Sequence, residues 1–201
     1  MPRKRLIYTN EFPYHVWARS NNRDWFYAPQ DAMWEIFKDQ LNQRIRTHKF
    51  QVHAFVLMNN HYHMICSTDQ EFDLGVVMQA LQKSVSRSVN ALTGRINHVF
   101  GGPYKASLVC SEEYYFNLFK YVYRNPVQAN ICNQAMDYTY STLARPDDIA
   151  LSSPLSGIAS MLPWPEDIPS WLDQSEPPEV TESIRRGLKK TVYRPVYGRG
   201  Y

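Results

Sequence analysis

The sequence predicts an α+β protein with a ferredoxin-like antiparallel sheet that is covered by helices on one face. Two segments, at 30–47 and 73–92, carry apolar residues at helical spacing. Short apolar runs at 50–58 and 61–67 lie between them, and Asn59-Asn60 joins these runs as a tight connection between antiparallel strands. This order of elements favours one sheet with a helical layer.

The remaining elements follow along the chain. A strand is predicted at 12–20, and Gly101-Gly102-Pro103 predicts a turn before a last strand at 104–110. The apolar residues of the first helix are Met33, Trp34, Ile36, Phe37, Leu41 and Ile45. Those of the second helix are Leu74, Val77, Met78, Leu81, Val85, Val89 and Leu92.

A third helix is predicted at 112–125. Ser111 is a suitable N-cap, with acidic residues in the first turn. The apolar stripe of this helix consists of Tyr115, Leu118, Phe119 and Val122. Because Pro126 disfavours helical geometry at the residue before it, we expect the helix to end near Asn125.

The motif His61-Tyr62-His63 places two imidazoles on one face of a strand. Successive strand residues alternate between faces, so Tyr62 points into the apolar layer. Imidazole is a good ligand for divalent transition metals, and such a site needs at least one further ligand from elsewhere. Taken alone, the motif also fits two solvated or hydrogen-bonded histidines.

Tyr121 and Asn125 are four residues apart and therefore lie on one face of the third helix. A tyrosine that can attack phosphorus, an amide oxygen and two histidines together form a nucleophile beside a cation site. Tyr114, Tyr115 and Tyr123 are alternative nucleophiles. Tyr115 belongs to the apolar stripe, and Tyr123 lies about 160° around the helix axis from Asn125. We therefore favour Tyr121.

The sequence resembles the HUH single-strand transposases with one catalytic tyrosine, the family of the IS200/IS605 elements. Within that family it looks most like the transposases associated with repetitive extragenic palindromes (REP). The resemblance covers about residues 6–145, and its four matching segments are 14–23, 56–63, 104–109 and 121–129. The chain departs from the family's common residues at Asn59, Tyr62, Gln128 and Asn130, which affects substrate contacts more than chemistry.

The resemblance implies a strand transferase that cuts single-stranded or hairpin DNA. Tyr121 would form a 5′-phosphotyrosine, and His61, His63 and Asn125 would hold Mg²⁺ or Mn²⁺. ATP is not needed because the phosphodiester energy is retained. Two alternatives remain open: a noncatalytic hairpin-DNA-binding protein of the same fold, and a metal-dependent hydrolase that uses water and would stay active after Tyr121→Phe.

Charge divides the chain into a catalytic domain at 1–136, an acidic Pro/Ser-rich connector at 137–182 and a basic tail at 183–201. Lys and Arg against Asp and Glu number 15 against 10, 1 against 9, and 6 against 0 in these parts. We expect the connector to wrap the core, although its composition also fits a linker without fixed structure. Its candidate docking residues are Leu162, Trp164 and Trp171.

Basic residues interleaved with aromatic ones suit nucleic acid, because cations meet phosphates and rings stack on bases. A solvated helix surface explains the same charges. The candidate DNA contacts in the core are Arg19, Asn22, Arg23, Lys105 and Arg124. Those in the tail are Arg185, Arg186, Lys189 and Lys190, with Tyr193 and Tyr197 among them.

Composition indicates a cytoplasmic protein with no membrane partner. No apolar run reaches the roughly 18 residues that span a bilayer, and the start lacks the apolar core of a secretory signal. Cys66, Cys110 and Cys132 are odd in number and widely spaced, which is typical of reduced thiols. The sequence leaves open whether the protein is a monomer or a homodimer that exchanges catalytic helices.

Overall fold

The computed structural model of the protein describes residues 6–152 and 168–194, apart from the side chains of Glu112 and Glu113. Its elements in chain order are β1 (Tyr14–Arg19), α1 (Gln30–His48), β2 (Gln51–Leu57), β3 (His61–Ser67), α2 (Leu74–Thr93), β4 (Lys105–Leu108), α3 (Glu112–Gln128), α4 (Ile168–Asp173) and α5 (Pro178–Gly187). Short 3₁₀ turns occur at Asn21–Arg23 and Ala135–Asp137. The predicted strands and helices are therefore present, with shorter strands at 14–19 and 105–108.

The four strands form one antiparallel sheet in the order β2-β3-β1-β4. β1 pairs with β3 on one side and with β4 on the other, and Asn59-Asn60 lies in the tight connection between β2 and β3. With α1 after β1 and α2 after β3, this order is the ferredoxin-like arrangement. The predicted fold class is confirmed.

The helices α1 and α2 cover one face of the sheet, as predicted. Their apolar residues pack on alternate strand residues in a core that includes Phe37, Phe55 and Tyr62. The ring centroid of Phe37 lies 5.2 Å from that of Tyr62 and 5.4 Å from that of Phe55. Burial of such large apolar side chains is the main stabilising contribution to this layer.

A second layer covers the opposite face, beyond the single helical layer that the sequence predicted. Residues of α3 such as Leu118 and Val122 pack against Ala54, Val56 and Ile65 of β2 and β3. The central strands are thus apolar on both faces where α3 crosses them, as expected for a sheet buried on both sides. This layer brings α3 beside the strand that carries His61 and His63.

The prediction that α3 ends near Asn125 is wrong, because the helix continues through Pro126 to Gln128. Proline has no N–H, so the carbonyl of Val122 loses its usual helical donor. The side-chain amide of Asn125 donates instead, with Nδ2 3.3 Å from Val122 O and 2.8 Å from Tyr121 O. The side chain compensates for the missing bond, and the helix persists for one more turn.

Segments beyond the first 136 residues cover both edges of the sheet. Beside β2, Thr142 N donates to Phe55 O at 2.9 Å, and beside β4, Leu108 N donates to Thr191 O at 2.8 Å. Covered edges do not offer unpaired backbone groups to other chains. Helix α5 runs across residue 182, where charge places the connector boundary.

The connector also packs on α3. Trp171 lies beside Phe116, with ring centroids 6.3 Å apart. The expected docking of Leu162 and Trp164 concerns residues outside those that the structure describes, as does the expectation for Tyr197.

Within the described ranges, no helix is both long enough and apolar enough to span a membrane.

Candidate active site

A cleft of about 310 Å³ lies on the α3 side of the sheet, between β1, β3, α3 and α5. It contains all four residues that the sequence predicts as nucleophile and metal ligands. Its lining residues are His15, Trp17, Arg19, His61, His63, Tyr121, Asn125, Glu182, Arg185, Leu188 and Lys189. The structure thus joins residues from both ends of the chain in one site.

The alternation of β3 places His61 and His63 together on the cleft side, with ring centroids 5.1 Å apart. The Nδ1 atom of His61 lies 2.7 Å from Oδ1 of Asn60. An amide oxygen only accepts hydrogen bonds, so Nδ1 carries the proton and Nε2 keeps its lone pair. His61 is therefore held in a tautomer that can bind a metal through Nε2.

His15 lies in the cleft beside His63, and sequence reasoning did not single it out. It is 1% exposed, and its Nε2 lies 2.9 Å from Nδ1 of His63 with the two rings stacked. When His63 donates from Nδ1, its own Nε2 is free to act as a ligand. The signal that could have found His15 is the alternation of His15, Trp17 and Arg19 along β1, which gives one polar and aromatic face.

Burial keeps the three histidines uncharged at neutral pH. It lowers the pKa of His15 to about 3, and burial together with the charge of Arg19 lowers the pKa of His61 to about 4. The pKa of His63 falls well below its usual value, first through burial and then through neighbouring His15, His61 and basic side chains. Neutral imidazole is the form that binds a metal ion.

Helix α3 supplies Tyr121 and Asn125, one turn apart, to the same cleft. Tyr121 is 8% exposed, and its ring stands almost perpendicular to that of His63 with centroids 5.8 Å apart. Because Nδ2 of Asn125 donates to two helix carbonyls, Oδ1 is the atom of this amide that remains available as a ligand.

Burial raises the pKa of the Tyr121 hydroxyl, while the charge of Arg185 and its hydrogen bond to the tyrosine lower it. Glu182, which also lines the cleft, raises this pKa. Arg185 comes from α5, so the tail contributes directly to the surroundings of the tyrosine. An adjacent cation favours the negative charge that a phenol oxygen develops when it loses its proton.

The cleft contains nitrogen and oxygen donors of the kinds that bind divalent cations. Within residues 6–152 and 168–194, no group of three or more His, Cys, Asp or Glu is arranged to hold a metal. A site in the cleft would therefore combine the imidazoles of His61 and His63 with the amide oxygen of Asn125. Each of these side chains has its other polar atom engaged by a neighbour. This engagement leaves one ligand atom on each.

Comparison with known proteins assigns the family. The family model described as "Transposase IS200 like" matches residues 8–125, which is more than half of the chain. The chain belongs to this family of transposases. No curated protein matches it.

Two solved structures are similar to this IS200-like transposase. The structure of a REP-associated tyrosine transposase bound to a REP hairpin has a TM-score of 0.60 and 18% sequence identity, and the match covers 72% of this chain and 84% of that chain. A candidate transposase from Deinococcus radiodurans R1 has a TM-score of 0.42 and 14% identity, over 65% of this chain and 94% of that chain. The first likeness shows that the two proteins share a fold.

The other tyrosines of α3 in this transposase lie outside the cleft. The hydroxyl of Tyr123 is buried and hydrogen-bonds to Thr142 Oγ1 at 2.8 Å. Tyr115 is buried and stacks on Phe119 in the apolar layer between α3 and the sheet, as the sequence predicts. Tyr114 packs edge-on against Tyr193. Of the tyrosines in the described part of the chain, Tyr121 is the one that lines the cleft.

Most of the predicted DNA contacts of the transposase surround the cleft. Arg19, Arg185 and Lys189 line it. Lys105 and Lys190 line a neighbouring cavity with Lys189. Asn22 and Arg23 lie in the turn after β1, in a further cavity that Arg19 and Lys105 also line.

Arg124 and Arg186, also predicted as DNA contacts, do not line the cleft. Arg124 is buried, and its Nη1 donates to the carbonyl of Leu172 at 2.7 Å, so it fastens α4 to α3. Arg186 is not among the residues that line the cleft, and its Nε pairs with Oε1 of Glu182 at 3.1 Å.

Proposed function

We propose that this transposase is a metal-dependent single-stranded DNA endonuclease and strand transferase. Its substrate class is hairpin or palindromic repeat DNA, and its reaction passes through a 5′-phosphotyrosine. The observation that carries this proposal is the meeting of Tyr121 and Asn125 from α3 with His61 and His63 from β3 in one cleft. The REP hairpin bound to the similar REP-associated transposase supports the substrate class.

His61, His63 and Asn125 are the residues that would hold Mg²⁺ or Mn²⁺. When bound, such a cation polarises the scissile phosphate and stabilises its developing charge. The chain's own contribution is to keep both imidazoles neutral, to hold the proton of His61 on Nδ1 through Asn60, and to place His15 against Nδ1 of His63.

Tyr121 is the nucleophile in this proposal. Its hydroxyl oxygen forms a bond to phosphorus as the bond from phosphorus to the 3′ oxygen breaks, and the phenol proton is lost. The departing 3′ oxygen takes up a proton, and the 5′ phosphate stays on Tyr121. A free 3′ hydroxyl then loses its proton and attacks the phosphorus of this phosphotyrosine; the bond to the Tyr121 oxygen breaks, the phenol is protonated again, and a strand is rejoined without ATP. Burial raises the pKa of the Tyr121 hydroxyl and so opposes its ionisation. The neighbouring positive charge of Arg185 lowers this pKa and favours loss of the phenol proton during attack.

The basic residues around the cleft serve as phosphate contacts. Arg19, Arg185 and Lys189 would hold the strand beside Tyr121, and Lys105 and Lys190 would hold its continuation. Asn22 and Arg23 would act at the turn after β1. Such contacts make affinity fall with salt concentration.

The test is incubation of the protein with end-labelled hairpin DNA that carries single-stranded flanks, in Mn²⁺ or Mg²⁺, followed by denaturing gel electrophoresis. We expect a covalent protein–DNA band that requires the metal and is absent from Tyr121→Phe. Tyr123→Phe is the matched control, because it removes a hydroxyl from the same helix outside the cleft, and it should retain the band.

Other outcomes would contradict the proposal. Cleavage by Tyr121→Phe without a covalent band would indicate a hydrolase that activates water. Binding without cleavage by the unaltered protein would indicate a noncatalytic hairpin-binding protein.

A further inference from the structure

Trp17 occupies the centre of the cleft side of the sheet. It lies opposite His63 across the β1–β3 pair and opposite Lys105 across the β1–β4 pair. Directly opposed residues have Cβ atoms about 5 Å apart. The tryptophan is therefore the immediate neighbour of a proposed metal ligand, and it is only partly buried.

Three cavities meet at this side chain. One is the catalytic cleft, and Trp17 also lines a second cavity of about 450 Å³ and a third of about 530 Å³. The second lies between β4 and the tail segment that starts at Leu188, and the third lies at the turn after β1. Volumes of this size are in the range of small-molecule sites. A single DNA strand that runs from the cleft into either of these cavities would pass Trp17.

Backbone and side-chain hydrogen bonds fix the tail segment that forms one wall of the second cavity. Ser107 Oγ donates to the carbonyl of Lys190 at 2.8 Å, and Tyr193 N donates to Leu108 O at 2.7 Å. These bonds hold the wall formed by Lys189, Lys190 and Thr191 against β4.

The charges around Trp17 suit a phosphate backbone. Lys105 Nζ lies over the Trp17 ring at 4.6 Å from its centroid, and Arg19 Cζ lies over it at 5.8 Å, so both cations must swing aside when a base stacks there. The described residues that line the second and third cavities include no Asp or Glu. In addition, Nε of Arg19 is buried without a hydrogen-bond partner among the described residues. An aromatic face surrounded by cations is the common arrangement for binding single-stranded nucleic acid.

We propose that Trp17 is a stacking platform for an unpaired base of the DNA strand beside the catalytic cleft. Lys105 and Arg19 contact the phosphates on either side of that base. The inference rests on the proposed function for its substrate, single-stranded DNA, and adds a subsite that positions the strand next to His63. Because every base has an aromatic face, the subsite tolerates any sequence.

Binding is measured in the Tyr121→Phe background, so that cleavage does not contribute. The probes are one fluorescein-labelled DNA hairpin with a four-thymidine flank at its 5′ or 3′ end, and the same hairpin without a flank. Stacking on one aromatic side chain is worth roughly 1–3 kcal/mol, so we expect Trp17→Ala to weaken binding of at least one flanked hairpin about 5- to 150-fold. The hairpin without a flank should change less than about twofold. Trp17→Phe should retain most of the affinity.

A matched control is Trp25→Ala, because Trp25 is 72% exposed and lines none of the three cavities. It should bind both probes as the background protein does. An abasic site placed in turn at each flank position gives a readout that does not depend on how a variant folds. One position should lower affinity when Trp17 is present and have no further effect in Trp17→Ala.

The proposal is overturned if Trp17→Ala binds flanked hairpins like the background protein, or if it weakens flanked and flank-free hairpins equally. Failure of the proposed cleavage chemistry appears only in the covalent-adduct assay and leaves this binding result interpretable.

Discussion

On β1, Tyr14, Val16 and Ala18 pack against α1 and α2, whereas His15, Trp17 and Arg19 face the cleft. The same division occurs on β3. Tyr62 packs in the core under α1 and α2, whereas His61 and His63, the residues before and after it, face the cleft. Because strand residues alternate between faces, adjacent positions serve stability and chemistry separately. Substitutions on the two faces should therefore have different consequences, even one residue apart.

The largest effect is expected on the cleft face from His63→Ala. Loss of a proposed metal ligand removes several kcal/mol of transition-state stabilisation, so the rate of covalent-adduct formation should fall about 10³-fold or more. The free energy of unfolding, measured with urea, should fall less than in Tyr62→Ala. An adduct rate within tenfold of the unaltered protein would remove His63 from the metal site.

On the opposite face, Tyr62→Ala should lower the free energy of unfolding by about 3–5 kcal/mol, because it leaves a cavity among Phe37 and Phe55. The molecules that remain folded should still form the adduct. Tyr62→Phe is the matched control. The hydroxyl of Tyr62 is buried without a partner among the described residues, so its removal should not destabilise the fold. Equal losses in the two variants would contradict this assignment.

His53 is a mostly buried histidine that lies outside the cleft. Burial lowers its pKa to about 4, below the value of about 6.5 in the unfolded chain. As pH falls below about 6.5, His53 binds a proton in the unfolded chain before it does so in the folded protein. The contribution of His53 to the free energy of unfolding is therefore complete above that pH and decreases by about 3 kcal/mol toward pH 4.

Urea unfolding at pH 7.5 and pH 4.5 should show a smaller acid loss in His53→Gln than in the unaltered protein. Glutamine does not titrate there and can keep a hydrogen bond to Ser67 Oγ, which His53 Nε2 contacts at 2.7 Å. Identical acid losses in both proteins would show that His53 does not supply this pH dependence.

His15 should act through His63. Partners that orient a metal-bound imidazole are typically worth 10- to 100-fold in metal affinity, so His15→Leu should lose about that much in a Mn²⁺ titration followed by electron paramagnetic resonance. His15→Gln, whose amide oxygen can accept from Nδ1 of His63, should recover part of the loss. His53→Gln should bind Mn²⁺ normally. Equal affinity in His15→Leu and the unaltered protein would make His15 a packing residue only.

The smallest effect is expected from Tyr123→Phe. It removes the hydrogen bond to Thr142, which is worth about 1 kcal/mol of unfolding free energy. Adduct formation should not change, because Tyr123 lies outside the cleft. A loss of the adduct in this variant would indicate that Tyr123, and not Tyr121, is the nucleophile.

Local periodicity explains what the sequence could predict. The alternation of β3 places His61 and His63 together, and the helical spacing of Tyr121 and Asn125 places these two on one face. The strands and helices of the core follow from the same two periods. Each of these expectations depends on residues only a few positions apart.

The features that sequence reasoning missed depend on distant contacts. His15 meets His63 from 48 residues away, and Arg185 reaches Tyr121 because α5 packs on α3. The burial of Arg124 depends on the carbonyl of Leu172, which no local pattern reveals. The turn of α3 beyond Pro126 depends on a side-chain amide that compensates for a missing N–H. Packing decides each of these outcomes.

The most direct test of Tyr121 as the nucleophile is peptide mass spectrometry after reaction with hairpin DNA, nuclease digestion and trypsin. Trypsin cleaves after Lys120 and after Arg124, which releases one peptide that contains both Tyr121 and Tyr123. Fragmentation of this peptide shows which of the two hydroxyls is modified. We expect a nucleotide attached through its 5′ phosphate to Tyr121. A nucleotide on Tyr123 or on another residue, or cleaved DNA with no modified peptide, would contradict it.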